Sequence, residues 1–189
     1  MGRRFGVFGT GARAARVAAL LAVAWALAPL SLRAATPRPA ARAAGAASAG
    51  IRPATAADVL AEVRAARGSV VLVNVWATWC IPCRLEFPDL LSLRREFGEK
   101  GFRLVLVSAD LAGERPQVEA FLRSEGVGFP TLAKSQPDQE FIDGLERRWS
   151  GALPATLLFD RNGTEVAFWE GSSTYSELLA KVQPLLQGP

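Results

Sequence analysis

Beyond residue 54, short continuous apolar runs alternate with stretches in which apolar residues recur every three or four positions. That is the pattern of buried strands interleaved with amphipathic helices. Thr55, followed three residues later by Asp58, opens the first helical stretch, whose apolar stripe is Val59, Leu60 and Val63 and which Gly68 follows. Residues 69–75 are a β-branched run suited to a strand buried on both faces. A helix is predicted over about 80–97, stopped by Gly98 and kinked near Pro88. Residues 102–108 read as a second buried strand, and 116–125 as an amphipathic helix with Val118, Phe121 and Leu122 on one side. A short extra strand is expected at 128–133 and a short helix at 140–148. Residues 155–159 and 165–169, joined by Asp160-Arg161-Asn162-Gly163, form a β-hairpin, and 175–186 closes the chain as a helix. Parallel strands joined by helices and followed by an antiparallel hairpin give an α/β sheet covered by helices on both faces.

The first 52 residues follow another pattern. Arg3, Arg4, Arg13 and Arg16 precede an almost uninterrupted apolar stretch at 17–32, whose 16 residues fall short of the roughly 20 that a spanning helix prefers. Residues 1–33 therefore read as a signal peptide or N-terminal membrane anchor. Residues 34–52 are an Ala/Pro-rich linker, with no bulky residue from 34 to 50, and 53–189 is the folded domain. This division changes the meaning of the charge. The chain is +4 overall, but residues 1–52 hold eight arginines and no acid, leaving 14 basic against 18 acidic residues beyond them. A mildly acidic domain behind a basic leader gives no reason to expect a nucleic-acid partner.

Composition narrows the chemistry. With no histidine, the chain alone runs no His general base, Ser-His-Asp triad, Cys-His pair or His-ligated metal. Two cysteines are too few for a four-cysteine zinc site or an iron-sulfur cluster. Both lie in Trp79-Cys80-Ile81-Pro82-Cys83, where a buried strand gives way to a helix. A spacing of three sets both sulfurs on the first helical turn, within reach of a disulfide, Cys80 at the exposed edge and Cys83 tucked inward. Unpaired N–H groups at the helix start favour thiolate over thiol and can lower a thiol pKa from about 8.5 to roughly 3.5–7.5. Cys80 is then the attacking nucleophile and Cys83 the resolving thiol. A purely structural disulfide is the bland alternative, but so tight a loop restrains little of the unfolded chain. A metal site shared with a second chain is another.

The run from Val70 through Asn74, Trp76, Trp79, Cys80 and Cys83 to Pro88 resembles the thioredoxin superfamily, and within it the TlpA/ResA-like extracytoplasmic thiol-disulfide oxidoreductases. Leu153-Pro154-Ala155-Thr156, at a strand start, is a second match, so the resemblance covers about 55–187. It implies a thioredoxin-like three-layer α/β/α sandwich with a mixed central sheet and an extra strand-helix insertion, here 129–148. It also implies a cis peptide bond before Pro154, facing the cysteines, with Trp79, Leu153 and Pro154 forming the substrate-docking surface. Thioredoxins proper carry a buried acid six residues before the first cysteine, where this chain has Asn74. The TlpA/ResA-like branch instead places an acid three residues after the second, and Glu86 fits; on a helix it shares a face with Cys83 and can exchange protons with it. Glu86 otherwise reads as a solvated surface residue.

The implied function is thiol-disulfide exchange by Cys80 and Cys83 with no cofactor and no metal. Its implied partners are disulfide- or thiol-containing exported proteins, apocytochrome c among them, and a membrane electron donor, for a monomer in the periplasm or another extracytoplasmic space. Ile81-Pro82 places no cation between the sulfurs, which leans toward reductant. The rival readings are a non-catalytic thioredoxin-fold binding module and a peroxiredoxin-like peroxidase. The peroxidase normally has Thr or Ser three positions before its cysteine, where this chain has Ala77.

Overall fold

A computed structural model describes residues 50–188; the signal or anchor segment expected at 1–33, and the linker expected at 34–52 up to residue 49, lie outside the described residues. In chain order the elements are β1 (Ile51–Ala54), α1 (Ala56–Ala65), β2 (Val70–Trp76), α2 (Ile81–Phe97), β3 (Phe102–Ser108), α3 (Arg115–Ser124), β4 (Thr131–Lys134), α4 (Asp138–Leu145), β5 (Ala155–Phe159), β6 (Glu165–Glu170) and α5 (Tyr175–Gln187). The strands form one sheet in the order β1-β4-β3-β2-β5-β6. The four strands from β1 to β2 are parallel, and β5 and β6 are antiparallel additions.

All seven residues of β2 are buried, the polar Asn74 among them, as its predominantly apolar run requires of a central strand. Successive side chains point to opposite faces. Val70, Leu72 and Trp76 join the core beneath α2, α3 and α5, while Val71, Val73 and Val75 join a second core beneath α1 and α4. The protein is thus an α/β three-layer sandwich with a mixed sheet and the inserted β4–α4 unit. Among the described residues no helix is long and apolar enough to cross a membrane.

Three boundaries differ from the sequence expectation. Ile51 and Arg52, placed in the linker, belong to β1: Ile51 is buried and pairs with Thr131, and its carbonyl accepts a 2.9 Å hydrogen bond from Arg115. The domain therefore begins earlier than residue 53. The second helix ends where expected, with Phe97 its last residue and Gly98 its C-cap; Gly98 stays right-handed at φ −56°, and a single 3-10 turn carries the chain to Gly101, which takes φ +87°. The extra strand forms at Thr131–Lys134, just past Pro130, which has no N–H to donate to a ladder. The helix after it starts at Asp138, immediately following Pro137, with acidic residues in its first turn where the helix dipole favours them.

Candidate active site

Cys80 is the N-cap of α2 and Pro82 lies in its first turn, where a missing N–H costs nothing. The Cys83 N–H points at Cys80 Sγ, 3.3 Å away. The two sulfurs are joined in a disulfide with Cα atoms 5.3 Å apart. Cys80 keeps 5% of its surface exposed and Cys83 none, which sets the outer sulfur at the helix start and the inner one in the core. Trp79 is 62% exposed, and Ile81, Leu85 and Leu111 are exposed apolar residues as well. Trp76, by contrast, is buried against Phe87 and Phe121.

The turn before Cys80 is held from β3. The buried Asp110 carboxylate accepts the Thr78 N–H at 3.1 Å and the Ser108 hydroxyl at 2.7 Å, and the Thr78 hydroxyl also donates to it. Ala109 N–H donates to the Trp76 carbonyl at 2.8 Å. Sequence reasoning passed over Asp110. Its only signal was an acid just past a buried strand, and its partner Thr78 is 32 residues away in the chain.

Glu86 is no solvated surface residue: only 3% of it is exposed. Its Oε1 accepts from Asn74 Nδ2 at 2.8 Å and its Oε2 from the Ser173 N–H at 2.9 Å. Burial pushes its carboxyl above the ordinary range and the charge of Asp89 adds to this, while the two hydrogen bonds pull the other way. Glu86 and Cys83 both turn inward from α2, so a buried titratable group stands one helical turn from the inner sulfur.

The Leu153–Pro154 peptide bond is cis. Val75 pairs with Ala155 across the antiparallel β2–β5 ladder, so the register one step further sets the buried Pro154 beside Trp76, at the end of the strand that leads to Cys80. Leu153 and Trp79 line one groove, walled by Phe141, Trp149, Lys134 and Asp138 from the inserted unit and its flanks. Five of the six residues expected at the site thus lie on the end of β2, the start of α2 or the approach to β5, and Glu86 lies one turn into α2. Among the described residues no group of three or more Cys, Asp or Glu side chains is placed to hold a metal ion.

A model of the AhpC/TSA family matches residues 54–166. The thiol-disulfide oxidoreductase ResA of Bacillus subtilis (strain 168) is 30% identical over 115 residues, 61% of this chain and 60% of that protein. The thiol:disulfide interchange protein HelX of Rhodobacter capsulatus is 29% identical over 122 residues, 64% of this chain and 63% of its own length. The chain thus spans about three-fifths of the length of these curated relatives. The crystal structure of a thiol:disulfide interchange protein of the thioredoxin family from Chlorobium tepidum TLS superposes with a TM-score of 0.57 at 23% identity, covering 65% of this chain and 83% of that one. At that identity the likeness speaks to the fold, which is thioredoxin-like.

Proposed function

The chain belongs to the AhpC/TSA family, and from that premise we propose that it is a thiol-disulfide oxidoreductase working through Cys80 and Cys83. The observation that carries this reading is the disulfide itself, with the outer sulfur capping a helix and keeping a sliver of exposure, 5%, and the inner one fully buried behind it. In the reduced protein the Cys80 thiolate, favoured by the N–H groups of the α2 start, attacks a substrate disulfide and releases one substrate thiol. Cys83 gives up its proton, attacks Cys80 Sγ of the mixed disulfide and frees the second thiol, leaving the Cys80–Cys83 bond. The protein loses two electrons and the substrate gains them.

Glu86 is the acceptor for the Cys83 proton, a role supported by its burial one turn away. Trp79, Leu153 and Pro154 receive the substrate segment; the half-buried Leu153, just ahead of β5, leaves its backbone free to pair with an extended chain. Ile81-Pro82 between the sulfurs supports the direction of reductant, and the basic-then-apolar leader supports an extracytoplasmic site of action. Substrates are then exported proteins carrying disulfides, including the haem-binding cysteines of apocytochrome c, with a membrane donor restoring the dithiol.

Insulin reduction by the purified chain, with dithiothreitol as electron source, tests the reading. Turnover that disappears in Cys80→Ser is expected. Absence of turnover in the parent chain would contradict the reading and favour a thioredoxin-fold binding module.

A further inference from the structure

Asn74 lies on the face of β2 that α2 covers, and it is fully buried. Its amide donates to Glu86 Oε1 at 2.8 Å and to Thr156 Oγ1 at 3.1 Å, while its own carbonyl oxygen has no partner. An orphaned buried carbonyl costs free energy. The opposite amide orientation would cost more, since it would aim a carbonyl at a carboxylate and leave two N–H groups orphaned. The amide is therefore held as a donor. The other Glu86 oxygen faces the Ser173 N–H at 2.9 Å. Both carboxyl oxygens thus meet donors, an arrangement that fits a carboxylate and disfavours a carboxylic acid.

The groups around Glu86 leave this to Asn74. On α2 its titratable neighbours are Cys83, one turn before, and Asp89, one turn after, whose charge works against ionisation. The groups that meet it from β2 and from the segment before α5 are uncharged: the Asn74 amide, backed by Thr156 of β5, and the Ser173 N–H. Resting on the reading of Glu86 as proton acceptor, we propose that Asn74 is the positioning residue that keeps Glu86 ionised and able to take the Cys83 proton. In the resolving step the S–H proton of Cys83 passes to Glu86, and the Cys83 thiolate attacks Cys80 Sγ. The Cys80–Cys83 bond forms, and the substrate sulfur leaves as a thiolate.

The test is stopped-flow reaction of the reduced protein with dithiobis(nitrobenzoate). The concentration-independent release of the second thionitrobenzoate reports the Cys83 attack, and it is followed across pH. Asn74→Leu keeps the branching and the number of heavy atoms and removes the donor, and should move the acidic limb of the profile upward by about one to two pH units, the size of one hydrogen bond to a charged group. Asn74→Asp, which keeps the shape and makes two carboxyls share a proton, should move the same limb upward and carries the test if the leucine variant fails to fold. In a Glu86→Gln background the limb should be absent, and adding Asn74→Leu should change nothing further. If Glu86→Gln removes the limb while Asn74→Leu and Asn74→Asp titrate as the parent does, the positioning role is wrong and the proton acceptor stands. A limb unchanged in Glu86→Gln overturns the acceptor and this inference with it.

Discussion

At Glu86 the contest between burial and hydrogen bonding leaves the carboxyl easier to protonate folded than unfolded. Its contribution to stability is therefore fully present below the ordinary carboxyl value of 4.5 and is lost as pH rises through the raised folded value. Urea midpoints of the oxidised protein, taken from about pH 4 to pH 8, should fall relative to those of Glu86→Gln as pH increases across that window. Parallel curves for the two proteins would mean that burial does not press on this carboxyl. Chemistry was most legible at this scale. Cys80 and Cys83 stood out by count and spacing, and Glu86 by its offset from them. Its partners were not legible, because Asn74 is 12 residues before it and Ser173 is 87 after it, and only the folded sheet brings them together.

The element that presents the outer sulfur is the turn between β2 and α2, and its geometry depends on a carboxylate from beyond β3. Asp110→Ala would leave the Thr78 N–H, the Thr78 hydroxyl and the Ser108 hydroxyl without their acceptor in a largely buried place. The expected cost is about 2–4 kcal/mol, since each orphaned donor costs about 1–3 kcal/mol and the hydroxyls can partly re-pair. Chemical denaturation at constant m-value measures it, and insulin reduction should fall as the turn loosens. A loss under about 0.5 kcal/mol would place Asp110 among ordinary surface acids. Most elements were legible because β2, β3 and the helices have long or strongly periodic patterns. The strand β1 was not: only Ile51 and Ala54 of its four residues are buried, and it is completed by pairing with a strand 80 positions on. The end of α2 was legible at Gly98, although the left-handed backbone that often follows a helix is taken three residues later by Gly101.

Across the whole molecule, the sheet order brings the end of β2 and the start of β5 together, so that the cysteine pair and the Leu153–Pro154 segment, about 70 residues apart in sequence, come to one end of the sheet. The alternation of strand and helix pointed to the layers, whereas the insertion of β4 between β1 and β3 depends on pairing that no local pattern records. The proposed function needs this whole arrangement to work with two unequal sulfurs, one that attacks and one that resolves. The most direct measurement is trapping: each single cysteine variant, reduced, is incubated with a disulfide-containing protein such as insulin and resolved on non-reducing gels. Cys83→Ser, which keeps the outer Cys80, should accumulate a mixed disulfide through Cys80, and Cys80→Ser should accumulate little or none. Equal trapping by both variants, or trapping by Cys80→Ser alone, would contradict the assignment of Cys80 as the nucleophile.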